Sequence, residues 1–197
     1  PDFFTEQFLG NADLQNVSIL FTPNGSIDYY QACVTPIAQL PTDPAGGTLV
    51  STSDDVSTSL TLSGGAAVQL YGVSYTTLYV GPNGYVTFTA GDSDYSPSPA
   101  DHFDLPRIAA CFDDLHPGQG SGALTWKQLA DRAVVTWLNV PEYNQSNQNT
   151  FQIELFFDGR IQISYLALAS TGYLAGLSDG AGVSPDFLAS DLSAYGS

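Results

Sequence analysis

The chain has no methionine, and its only basic residues are Arg107, Lys127, Arg132 and Arg160, against 20 Asp and Glu in 197 residues. Four scattered cations and a net charge of −16 exclude nucleic-acid binding, which needs clustered Lys and Arg. They also disfavour docking on an anionic lipid surface. No apolar run approaches the length needed to cross a bilayer, so no membrane insertion is expected. No signal peptide lies in these residues, and with Pro1 first the sequence reads as a mature or trimmed chain. The two cysteines, Cys33 and Cys111, form no CxxC pair, and His102 and His116 are the only histidines, so no zinc ligand set is visible by spacing. A Cys33–Cys111 bridge and a free buried thiol at Cys111 both fit the sequence. Glutamate is confined to Glu6, Glu142 and Glu154, which leaves little for a glycosidase pair. A G-x-S-x-G elbow is missing as well. Long amphipathic helices are also absent. The one expected helix is short, over 184–194, with Ser184 as N-cap and Pro185 at its first position.

What the chain does have is alternation. Val17–Thr22, Val56–Leu62, Ala67–Tyr71, Leu78–Val80, Tyr85–Phe88, Ile108–Phe112, Ala123–Gln128, Ala133–Val140, Thr150–Phe157 and Arg160–Tyr165 each read as a strand. Gly81-Pro82-Asn83-Gly84 joins two of them as a hairpin, with Asn-Gly suited to positive φ. Residues 28–47, with Pro36, Pro41 and Pro44, read as an irregular connection. Trp137 alternates with Val135 and belongs to the core. Strands at roughly ten-residue spacing predict an all-β fold: an antiparallel β-sandwich with long acidic loops and at most one or two short helices. Nothing splits the chain, so a single domain over 1–197 is expected, with 1–74 supplying N-terminal strands and the irregular connection.

The acidic surplus has two readings, the solubility of a secreted protein or carboxylates grouped on divalent cations. For Ca2+ the leading candidates are Asp113-Asp114, directly after a buried strand, and the D-x-D pair Asp92 and Asp94. Asp54-Asp55 and Asp179 are lesser candidates. Each pair could instead cap a loop or face water. For an organic ligand, Tyr143 beside the polar tip 144–149 is the best exposed contact, with Asn144 and Asn147. Trp126, Tyr75, Tyr79, Tyr85 and Tyr95 could extend a sugar-stacking platform or could be ordinary cross-strand pairs. Three Asn-x-Ser sequences, at Asn16, Asn24 and Asn144, would matter only in a glycosylating host.

The ordered segments YVGPNGYVTF, LPRIAACFDDLHPGQGSGALTWKQL, DRAVVTWLNVPEYNQSNQNTFQIELFFDGRIQISYL and AGLSDGAG resemble the nidogen-like (NIDO) domain of extracellular proteins. The counterparts are Asn83-Gly84, Ala110–Asp114, Gly122–Trp126, Val134–Tyr143, Asn149–Leu155 and Asp158-Gly159. The similarity covers residues 75–180, and Cys111-Phe112-Asp113-Asp114 departs from the usual tryptophan-containing version. The lead-in before it resembles that of secreted multidomain bacterial proteins. The resemblance implies a secreted or cell-surface, non-catalytic adhesion or binding module of a larger bacterial protein. Its partner would be a glycan or an extracellular protein, and the isolated domain would be monomeric. A carbohydrate-binding accessory domain of a polysaccharide-degrading enzyme and a metal-dependent hydrolase are the alternatives.

Overall fold

The structure is a computed structural model and describes residues 1–50 and 54–196. In chain order the strands are β1 (Thr5–Gln7), β2 (Val17–Pro23), β3 (Tyr30–Pro36), β4 (Thr48–Leu49), β5 (Thr58–Thr61), β6 (Val68–Leu70), β7 (Val73–Tyr75), β8 (Thr77–Gly81) and β9 (Tyr85–Thr87). One short helix, α1 (Pro99–Phe103), follows. Then come β10 (Pro106–Phe112), β11 (Ala123–Gln128), β12 (Arg132–Val140), β13 (Asn149–Phe156), β14 (Ile161–Ala167) and β15 (Leu174–Asp179). They form a six-stranded sheet in the order β1-β15-β10-β9-β8-β5, a seven-stranded sheet in the order β3-β2-β14-β13-β12-β11-β4, and the small β6-β7 ribbon. All pairings are antiparallel, and the fold is the expected all-β sandwich.

Side-chain alternation decides which face is core. Val135, Ile153, Ile163 and Ile19 sit in register across four strands of the larger sheet, all fully buried. Phe151 and Leu155 extend the same face. Trp137 stacks on Phe151 at 5.0 Å, and its indole N–H crosses to the other sheet to donate to Pro82 O at 2.9 Å. That bond satisfies the one polar atom of a fully buried side chain.

On the opposite face the next row, Ser18, Ser164, Gln152 and Thr136, is polar but also buried. The cover is the proline-rich segment 37–47. Thr42 N–H donates to Gln152 Oε1 (3.1 Å) and its hydroxyl to Glu154 Oε1 (2.6 Å), while Gln152 Nε2 donates back to Thr42 O (2.8 Å). The buried amide and carboxylate thus find partners in the strap, as burial of polar groups requires.

Two expectations are corrected. Residues 28–47 are not wholly irregular, because Tyr30–Pro36 form edge strand β3 on β2. The prolines that disguised it lie at its last residue and beyond, where a missing N–H costs no ladder bond. The tail is no helix. Ser184 closes a single turn through Phe187 N–H, and only Leu192–Ala194 wind as one 3-10 turn. Acids of the N-terminal segment claim the tail instead. Asp2 accepts from Ser190 Oγ and Tyr195 Oη, Glu6 from Leu192 N–H, and Asp13 from Ser193 Oγ. A similar Ser-Pro start, at Ser98-Pro99, does begin α1, with Ser98 capping Asp101 N–H. The open question of the cysteines resolves to two free thiols, Cys111 buried and Cys33 partly exposed.

Candidate functional site

The β8–β9 turn is the organising element. Gly84 has φ +82°, and a Cβ there would meet Cys111 O at 1.9 Å, so only glycine lets the turn lie against β10. Asn83 beside it is fully buried. Its Nδ2 donates to Asp55 Oδ1 (2.9 Å) and Asp94 O (3.1 Å), and its Oδ1 accepts from Leu115 N–H (3.0 Å). One side chain therefore fixes three segments far apart in sequence, at 54–55, 94–95 and 113–116.

Those segments surround a cleft of about 270 Å3 lined by Asp54, Asp55, Tyr95, Asp114 and Tyr143. One carboxylate oxygen from each of Asp54, Asp55 and Asp114 lies within 4.8 Å of the others. No ion pair among the described residues includes any of the three. Asp54 Oδ1 is buried with no hydrogen-bond partner among the described residues. Partial burial, then repulsion from Asp55 and Asp54, pushes the Asp114 carboxyl above the ordinary carboxylate range. Like charges held this close are relieved by a proton or by a cation, and an all-oxygen set suits a hard divalent ion such as Ca2+. On the rim, Tyr95 is 52% and Tyr143 42% exposed. Tyr143 is fixed from behind by stacking on His116 (5.8 Å, 29°) and by its N–H donating to Asp114 O (2.7 Å).

The structure brings only part of the expected set together. Of Asp113, Asp114, Asp92 and Asp94, Asp114 alone belongs to the carboxylate group. Asp113 accepts from Ser170 Oγ at 2.5 Å. Burial foremost raises its carboxyl to about 6. Asp92 is the counter-ion, at 2.7 Å, of a fully buried Arg107 whose guanidinium lies over Tyr85 and Phe112. Asp94 accepts at its carbonyl from Asn83 and Tyr85, and its N–H donates to Asp92 Oδ1 at 3.1 Å. Asp179 caps a turn through Ala181 N–H. Asp54-Asp55, a lesser candidate by sequence, supplies two of the three acids.

Of the six aromatics weighed as a platform, only Tyr95 and Tyr143 are exposed; Tyr85 is core, as is Trp137. Asn147 is tied to Glu142, its Oδ1 accepting from Glu142 N–H (2.9 Å) and its Nδ2 donating to Oε2. Asn144 is exposed, with φ +57°. His102 is buried against Thr5 Oγ1 (3.2 Å), and desolvation lowers it to about 3. His116 serves as the stacking base of Tyr143. Asn83 was missed as a site residue, because an Asn-Gly turn signals only a hairpin.

Residues 34–191 match the family described as NIDO related. The chain belongs to the NIDO-related family. The match extends well before residue 75 and includes the cleft, the Asn83 turn and the strap over the larger sheet. No curated protein and no solved structure matches the chain. Membership in the NIDO-related family fits an extracellular module, and among the described residues no helix is long and apolar enough to cross a membrane.

Proposed function

We propose that this NIDO-related chain is a non-catalytic binding module of a secreted or surface protein, engaging its partner with the face around Tyr143 and holding Ca2+ in the adjoining acidic cleft. The observation that carries the reading is the cleft itself: three carboxylates without cationic partners among the described residues, beside two exposed tyrosines. Grouped carboxylates can supply several of the six to eight oxygens that Ca2+ takes. The ion would offset their repulsion and lock the loops that carry Tyr95 and Tyr143. Exposed aromatic rings on a fixed base are the side chains that most often anchor interfaces.

The test is thermal melting with EDTA and with millimolar Ca2+. Binding to the folded state alone stabilises it by RT ln(1 + [L]/Kd), so 100-fold saturation adds about 2.7 kcal/mol, a rise in Tm of roughly 5–10 °C for a chain of this size. Asp54→Asn/Asp114→Asn should abolish the rise and leave the EDTA melt no lower than that of the parent, because repulsion is removed. An unchanged Tm in Ca2+ removes the ion from the proposal.

A further inference from the structure

A second cavity, of about 250 Å3, lies between the 119–121 segment and the 139–148 hairpin tip, the tip that also carries Tyr143. Its lining is wholly uncharged, in a chain where 24 residues carry charge (20 acidic, 4 basic). Carboxamides and hydroxyls dominate it: Gln119, Ser121, Gln145, Ser146 and Gln148 all line it. Gln119 frames the cavity, donating from Nε2 to Gln145 O (2.6 Å) and accepting at Oε1 from Asn144 N–H (3.1 Å). The side chains of Gln145, Ser146 and Gln148 are exposed and make no hydrogen bond to any described residue. Unlike those of Asn147 and Gln119, their donors and acceptors are not committed to holding the loop.

The backbone is built up at the same place. β12 carries a register shift between Trp137 and Val140, and Asn139 within it sits at φ +52°. Asn144, at φ +57°, is a second non-glycine residue in the left-handed region of this tip. Such outliers cost free energy and persist where the surroundings impose them, and bulges re-aim side chains next to binding sites.

A primary carboxamide presents one acceptor and two donors, the complement of adjacent sugar hydroxyls, and a tyrosine face stacks on the apolar face of a pyranose ring. We infer that this cavity is a binding subsite for a neutral polysaccharide, whose hydroxyls are bonded by the free carboxamides and hydroxyl of Gln145, Gln148 and Ser146 while one ring packs on Tyr143. The inference rests on the reading of the Tyr143 face as the partner-binding face, but it needs no metal ion. An uncharged lining selects against anionic sugars, which the acidic cleft nearby would repel unless bridged by Ca2+.

Affinity electrophoresis tests it, with gels carrying a β-glucan, a xylan, a mannan or agarose as neutral probes and alginate as the anionic one, each run with Ca2+ and with EDTA. Retardation by at least one neutral polysaccharide in both buffers is expected. Gln145→Ala/Gln148→Ala should weaken it at least tenfold without moving the Tm, and Tyr143→Ala should weaken it similarly. Retardation by none of the neutral gels overturns the subsite. So does binding that survives the glutamine substitutions, and so does binding to alginate alone in Ca2+, which would place a sugar on the acidic cleft and leave the cation reading standing. Neutral-sugar binding without a Ca2+-dependent melt would instead remove the ion and keep the subsite.

Discussion

Gly84→Ala should cost at least about 4 kcal/mol and leave little soluble folded protein, a far larger effect than alanine at other positive-φ glycines. Two penalties add at this position. The residue sits at φ +82°, and the new Cβ would lie 1.9 Å from Cys111 O, a backbone atom of a fully buried residue that cannot swing aside. The same turn accepts Ala110 N–H and Cys111 N–H at Gly84 O and is held by the Trp137 indole at Pro82 O. Moving the turn therefore disturbs both sheets, and it carries Asn83 away from Asp55, Asp94 and Leu115. Gly64→Ala is the control: its φ is +67° with nothing within 4 Å of a Cβ, so only the conformational cost of about 1 kcal/mol applies. Urea denaturation of the two variants separates the clash from the dihedral. Equal midpoints would show that the turn does not lie against β10 as described.

Arg132→Ala should destabilise the fold by about 3 kcal/mol, or on the order of 10 °C in Tm, although Arg132 is partly solvent-exposed. Its Nη1 lies 3.0 Å from Glu154 Oε1, and the Glu154 side chain is completely buried. Removing the guanidinium strands that carboxylate beneath the 37–47 strap, with Thr42 Oγ1 as its remaining donor. The charge rather than the lost packing is the cause, so Arg132→Ala/Glu154→Gln should recover most of the loss, since a neutral amide keeps an acceptor for Thr42 at far lower desolvation cost. Differential scanning calorimetry of both variants checks this. A single variant within 0.5 kcal/mol of the parent, or a double variant no better than the single, would mean that solvent reaches Glu154.

The contrast between these positions explains what the sequence could disclose. Phe151, Ile153 and Leu155 announce their face because a strand repeats every two residues and one face is apolar. The polar partners of that strand, Gln152 and Glu154, give the opposite impression. They read as solvent-facing, and only the strap, a segment more than a hundred residues away in sequence, makes them interior. The candidate site is hidden for the same reason. Tyr143 stands out locally as an aromatic beside a polar tip, and it lines the cleft. Asp114 is legible as one of a pair at a strand end, whereas its partners Asp54 and Asp55 come from another loop and are joined to it through buried Asn83. Asp92 and Asp94 have ligand spacing, but spacing cannot reveal that Arg107 is buried nearby and needs a counter-ion. Local pattern reports faces and turns; long-range pairing decides which acids meet.

The central claim is that Asp54, Asp55 and Asp114 together hold a cation beside Tyr95 and Tyr143. Tb3+ binds the oxygen sites that Ca2+ occupies and emits when a neighbouring tyrosine is excited, so tyrosine-excited Tb3+ luminescence reads site and rim at once. Saturable emission is expected, displaced by Ca2+, abolished in Asp54→Asn/Asp114→Asn and reduced in Tyr143→Ala. Emission absent from the parent protein, or equally bright in the aspartate variant, would contradict the account.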